Sequence, residues 1–259
     1  MSGVADAEAR TSPLATTRRF DSALVLLALV LLWTLGSAAA GSEALPSPWA
    51  TLARLGRLLG EPGFGADLWE TTRAFAFALA ISVVGGIVFG AALGSHRLSG
   101  DVAEPVLVTF YSIPKVTLYP VILLLFGLGV SAKVAFGVIH GIIPITLFTM
   151  GAVRSIRAVI IRTVSAMRLT RRQALTHVLI PAALPEIVSG IRLGFALTLL
   201  GTLIGEMFAS QRGLGSQLMK AMESGDNDTV LAVATILIVV ATLASAEFLA
   251  IERRFGPAR

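Results

Sequence analysis

Residues 162–185 read RTVSAMRLTRRQALTHVLIPAALP, the longest basic and polar segment in a chain that is otherwise a succession of apolar runs. As a helix from Thr163 to Val178, this stretch would set Arg168, Arg171 and Arg172 near one face. Ala166, Leu169, Gln173 and His177 would follow on another at three- and four-residue spacing. Pro181 has no N–H to give and a ring that clashes with the preceding turn, so the helix is predicted to stop there. A basic helix between apolar runs reads as a water-exposed connection between membrane spans.

Composition agrees with that reading. Of 259 residues, 55% are apolar and 14% charged, and the mean hydropathy is +0.81. Such values belong to polytopic membrane proteins, not to soluble domains. There is no cysteine, which excludes disulfides, thiol nucleophiles and Cys-ligated metals. The net charge of +5 lies mostly in arginines between apolar runs. No basic-aromatic surface pattern accompanies it, so no nucleic-acid partner is expected.

The expected organisation is a polar N-terminal tail, residues 1–20, and a transmembrane region, residues 21–259. Six spans are expected: Ala23–Ala40, Ala74–Leu93, Val102–Leu128, Ala132–Val153, Ile187–Ala209 and Thr229–Leu249. The first could also be read as a signal peptide ending at Ala38-Ala39-Ala40, but its ~18 residues are enough to span. Arginines concentrate on one side of this layout, among them Arg18, Arg19, Arg97, Arg154, Arg253 and Arg254 together with the 162–172 cluster. The positive-inside rule then places both termini and the 154–185 loop in the cytoplasm.

Several residues stand out against this background. Gly86, Gly90 and Gly94 recur one helical turn apart and suit close helix approach. Trp49–Leu59 is amphipathic, suiting either a membrane-surface helix or a packed external loop helix. Pro105, Pro114 and Pro120 predict a kinked or unwound third span that carries Lys115 and Tyr119. Lys115 is then a pathway residue or an interfacial anchor, and His140 in the fourth span a packing residue or a ligand. Arg192 and Glu206 sit near opposite ends of the fifth span, with Glu206 expected in the headgroup zone or facing an external vestibule. Lys115, Tyr119, His140, Arg192 and Glu206 are the candidates for lining a translocation path.

The 162–181 segment resembles the coupling loop of ABC-transporter permeases, the inner-membrane subunits of binding-protein-dependent importers. Their pattern is Glu-Ala-Ala, three residues, Gly, nine residues, Ile, one residue, Leu-Pro. Counted back from Pro181, Ile180 takes the Leu position, Val178 the Ile and Arg168 the Gly. Arg162, Thr163 and Val164 take the place of Glu-Ala-Ala. The flanks, residues 111–156 (YSIPKVTLYP…GAVRSI) and 184–218 (LPEIVSGIRL…GLGSQL), resemble the nitrate, sulfonate and taurine branch, and the likeness runs from about Thr71 to Phe248.

The resemblance implies an all-α membrane protein with the type I ABC importer-like permease fold. It also implies a contact with an ATPase subunit through Arg162, Thr163, Val164, Met167, Arg168, Leu169, Arg171, Arg172, Gln173, Leu175 and Pro181. Further implied partners are a second permease subunit, identical or not, a periplasmic solute-binding protein and membrane lipid. ATP and Mg would sit on the ATPase, with no cofactor on this chain. No Gly-x4-Gly-Lys-Ser/Thr cradle, zincin motif or nucleophile elbow occurs, and His96, His140 and His177 lack metal-ligand spacing. The expected function is a non-catalytic subunit of an ATP-driven importer in the bacterial inner membrane. Its solute would be a small organic or inorganic anion such as a sulfonate, taurine or nitrate. A secondary transporter and an intramembrane enzyme are the competing classes.

Overall fold

The computed structural model describes residues 13–156, 160, 164 and 166–255. Among the described residues every regular element is helical. In chain order they are α1 (Pro13–Ala40), α2 (Pro48–Leu59), α3 (Phe64–Gly94), α4 (Arg97–Ser112), a 3-10 turn (Lys115–Leu118), α5 (Tyr119–Phe126) and α6 (Val130–Arg154). The continuous helix α7 (Arg171–Ala209), α8 (Leu214–Ser224) and α9 (Asn227–Phe255) complete the fold.

Among the described residues four helices, α3, α6, α7 and α9, are long and apolar enough to cross a membrane. The pair α4 and α5 passes the same test together but is bent by 86°. These account for five of the six expected segments. The remaining one lies in α1, whose apolar stretch Leu24–Ala40 is shorter than the others. The spanning helices also begin earlier than their apolar cores. α3 starts at Phe64, not near Ala74, because a helix continues past the hydrocarbon layer as long as its polar turns are satisfied.

The expected single third span, Val102–Leu128, is instead two helices. Ile113, the residue before Pro114, takes an extended conformation (φ −67°, ψ 133°), as the proline ring demands of its predecessor. The helix ends there, and a 3-10 turn redirects the chain before Pro120 opens the first turn of α5. The 211–228 connection between the last two spans contains the folded helix α8, whose Leu214 is buried.

At the centre, α6 packs between α3 and α7. Small residues make the close approach possible, because apolar lipid offers helices no hydrophobic reason to associate and contact must come from packing. A Cβ on Gly90 of α3 would stand 2.6 Å from Thr149 Cβ and 2.7 Å from the Thr146 carbonyl of α6. Gly86 and Gly94 meet α6 in the same way. On the other side, Gly201 and Gly205 of α7 abut Phe136 and Lys133 of α6. Leu58, Phe64, Leu214, Ala232 and Val233 form a second apolar cluster where α2, α3, α8 and α9 meet.

Candidate functional site

The basic segment folds differently from its expected form. Arg162 and Thr163 lie outside the described residues. Arg168 has φ +50°, the one positive-φ residue other than glycine among the described residues. The chain turns there and restarts at Thr170, which caps α7: its hydroxyl accepts from the Gln173 N–H at 3.3 Å. The Gln173 side chain in return accepts the Thr170 N–H at 3.0 Å. This reciprocal capping box satisfies two N–H groups that a helix start leaves open. A single helix over Thr163–Val178 is therefore overturned, and α7 begins at Arg171. Thr170 was missed as a cap, although Thr-x-x-Gln is a helix-start signature. Met167, Arg168, Arg171, Arg172, Gln173 and Leu175 are exposed, with Leu169 half-buried and Ala174 buried.

The expected stop at Pro181 is also overturned. α7 runs on through Pro181 and Pro185 to Ala209. A π-turn over Leu175–Leu179 makes this possible, with the Ile180 N–H bonded to the Leu175 carbonyl five residues back. One extra residue in that turn relaxes the spacing just ahead of Pro181, where a regular α-turn would drive the ring into a carbonyl.

Beside this segment, the start of α4, the end of α6 and α7 at Glu186 are tied by polar contacts. Arg154 donates to Glu104 at 2.8 Å and pairs with Asp101, while the Ser155 hydroxyl donates to Glu186 at 3.2 Å. Arg154 at the end of α6 and Ser155, the residue after it, are thereby anchored to α4 and α7 shortly before the basic segment.

The five candidate path residues do not converge. Tyr119 and His140 flank Phe136, with ring centroids 5.5 and 5.7 Å from it. His140 bonds through Nδ1 to the Phe136 carbonyl one turn earlier at 2.8 Å, which is a packing arrangement. Lys115 sits at the bend, where its ammonium donates to the Tyr111 carbonyl at 3.0 Å and lies 5.0 Å from the Tyr111 ring centre. A cation there complements the open carbonyls at the end of α4. Arg192 pairs with Glu252 of α9 at 3.5 Å, far along α7 from Glu206.

Glu206 was expected in the headgroup zone or at an external vestibule and is instead wholly buried, 0% exposed. Its Oε2 accepts from the Thr71 hydroxyl at 2.8 Å and the Gly215 N–H at 3.0 Å. Its Oε1 faces the Lys133 ammonium at 3.6 Å, and Lys133 is itself 2% exposed. Lys133 also donates to the Arg212 carbonyl at 3.1 Å and lies 3.8 Å from Glu70. The Leu214 N–H bonds Thr71 at 2.8 Å and the Gly213 N–H bonds Asp67 at 3.0 Å. α3, α6, α7 and the start of α8 are thus clamped by charges and backbone donors, with the buried Glu206 Oε1 held by the Lys133 charge and not by a hydrogen bond. Asp67, Glu70, Thr71 and Lys133 were missed. Their partners lie up to 146 residues away, and no local pattern announces such pairs.

Residues 82–257 match the family described as "Binding-protein-dependent transport system inner membrane component". The taurine transport system permease protein TauC of Escherichia coli (strain K12) is 29% identical over 218 residues, 82% of this chain and 79% of that protein. The riboflavin transport system permease protein RibX of Chloroflexus aurantiacus is 30% identical over 85% of this chain and 83% of its own length. The formylaminopyrimidine transport permease protein ThiX of Halalkalibacterium halodurans is 28% identical over 92% and 96%. Among solved structures, a chain of the inward-facing MetNI methionine ABC transporter superposes with a TM-score of 0.62 at 23% identity, covering 73% of this chain and 94% of that one.

Proposed function

We propose, from the premise that this chain belongs to the family of binding-protein-dependent transport system inner membrane components and so is a permease subunit of an ABC importer, that the exposed Met167–Leu175 segment is where a separate ATPase subunit grips it. The chain is a multi-pass inner-membrane protein and hydrolyses no ATP itself. In this reading both termini and the basic segment face the cytoplasm, in keeping with the distribution of arginines. ATP and Mg are held by the ATPase, a second permease copy or paralogue completes the pore, and a periplasmic binding protein delivers the solute.

One observation carries the coupling reading. The exposed, capped start of α7 is the free end of an unbroken helix of 39 residues that also forms a span. At 1.5 Å per residue it is about 58 Å long, roughly twice the ~30 Å hydrocarbon layer. Force applied at Arg171 and Arg172 reaches the span without an intervening loop. Closure of the ATPase dimer on ATP would then rock α7, and with it α6 and α3, between inward- and outward-facing states. The Arg154 contacts hold α4 in the same moving unit. Arg168 adopts the left-handed turn at the position where relatives of this pattern carry glycine, so the shape of the grip survives the change of residue.

For the solute we infer a small molecule of the taurine, sulfonate or nitrate type, supported by the TauC relative over most of its length. The riboflavin and formylaminopyrimidine permeases match as well and support a neutral heteroaromatic solute as the second reading.

The test is co-purification with a co-expressed ABC ATPase from the same organism, comparing wild type, Arg168→Gly and an Arg168→Glu/Arg171→Glu/Arg172→Glu triple. Wild type and Arg168→Gly are expected to retain the ATPase. The triple is expected to lose it while remaining monodisperse. Equal recovery from the triple would refute this docking site.

A further inference from the structure

We propose that α2 is an interfacial helix whose Trp49–Leu52–Leu59 stripe seats in the bilayer leaflet at the Glu206 end of the bundle, at the boundary of acyl chains and headgroups. That leaflet is the outer one if the ATPase grips the opposite end.

α2 has two apolar faces. Ser47 caps it by accepting the Ala50 N–H at 3.2 Å, and Pro48 opens the first turn. Thr51, Leu55 and Leu58 follow at three- and four-residue spacing and point inward, with Leu58 1% exposed in the cluster with Phe64 and Val233. A second stripe, roughly 110° around the helix, repeats the spacing with Trp49, Leu52, Gly56 and Leu59. Its large residues are 74%, 52% and 57% exposed in that order. A helix that needed only to pack would leave this second face polar.

The roll of α2 is fixed. Arg54, between the two faces, donates to the Thr229 hydroxyl at 2.8 Å and pairs with Glu61, with Asp226 3.8 Å away. The stripe therefore cannot rotate inward without breaking this clasp.

Position decides the occupant. The inner face of α2 packs on α9 in the cluster that includes Ile236 and Leu237, and the exposed apolar band of α9 begins at the next residue, Ile238. On α3 the exposed band of Phe77, Ile81, Val84 and Val88 is topped two turns earlier by the exposed Trp69. α2 thus lies at the rim of the surface that the spanning helices present to lipid, and its stripe continues that surface. Tryptophan favours this depth, where its ring is apolar and its N–H meets headgroups. Arg57, exposed on the flank of the stripe, suits headgroup phosphates.

The chain has no cysteine, so single cysteines can carry a nitroxide without background labelling. Full-length Leu52→Cys, Leu59→Cys and, as an aqueous control on α8, Glu223→Cys would be reconstituted in phosphatidylcholine–phosphatidylglycerol vesicles. Collision rates with oxygen and with a water-soluble nickel chelate would then be measured by power saturation. The expected oxygen-to-nickel ratio at 52 and 59 is several-fold above that at 223. A ratio equal to the control would overturn the proposal by placing the stripe in water. Shielding from both reagents would overturn it by showing a protein cover, a second copy of the chain. Neither result depends on where the ATPase binds.

Discussion

Replacing Glu206 by Gln keeps the side chain's shape and removes one charge from the clamp between α3, α6, α7 and α8. The amide oxygen can still accept from Thr71 and Gly215, now 2.8 and 3.0 Å from the carboxylate. Its NH2 would then face the Lys133 ammonium, a donor against a donor, at the 3.6 Å now spanned by the ion pair. Breaking a buried pair by removing one partner costs about 3–5 kcal/mol. Glu70, 3.8 Å from Lys133, retains part of the attraction, which brings the expected loss to about 2–3 kcal/mol. At ~2–4 °C per kcal/mol for a chain of this size, the unfolding midpoint should fall by roughly 5–10 °C. Thermal unfolding of detergent-solubilised protein, followed by loss of the monodisperse chromatographic peak, measures it. Lys133→Met removes the stranded cation, so the double variant should be less damaged than the sum of the two singles by about 1–2 kcal/mol. A Glu206→Gln midpoint within about 2 °C of wild type, or strictly additive singles, would refute the claim that the clamp is an energetically coupled ion pair.

Gly90→Ala should lower the midpoint by an amount equivalent to about 1–3 kcal/mol, because its Cβ would meet Thr149 and the Thr146 carbonyl inside contact distance. Gly65→Ala, at an open site in the same helix, should leave it unchanged or raise it, and equal losses at both would remove the packing explanation. Asp226 supplies a pH dependence. The Thr229 hydroxyl first, then its N–H and the Arg54 charge, hold the Asp226 carboxyl below the usual range despite some opposing burial. A depressed folded value means stabilisation present above the unfolded value of ~3.9 and lost as pH falls through the folded one. Asp226 is 43% exposed, so the effect is small and screened. The midpoint deficit of Asp226→Asn should be visible at pH 6 and shrink as pH falls from ~3.9 down through the depressed folded value; a deficit unchanged across that fall would show that the carboxylate charge is not its source.

The spans were legible because lipid imposes a demand that composition records directly. Every backbone polar group must be satisfied within its own segment, and side chains must be apolar over some twenty residues. Pro114 was equally readable as a break, since its steric demand falls on its own neighbour. Pro181 was misread because the stop rule assumes regular α-spacing, and the π-turn at Leu175–Leu179 removes that assumption. The capping box at Thr170 and Gln173 was present in the sequence but masked by a basic run that reads as continuous helix. The clamp was out of reach. Thr71 and Lys133 are unremarkable locally, Glu206 stands out only as a lone acid at the end of a span, and only the packing of α3, α6 and α7 makes them neighbours.

The π-turn at Leu175–Leu179 also separates two quantities that an ordinary helix locks together, length and azimuth. Each residue in an α-helix advances the axis by about 1.5 Å and turns it by about 100°. Absorbing one residue in a wide turn changes the compass direction of everything before it while hardly changing its height. Arg171 and Arg172 therefore point where they do because of five residues of which only Leu175 belongs to the grip. Tightening that turn to regular α-spacing at constant length would swing the docking face by about a quarter-turn and leave the membrane register of Ile187–Ala209 intact.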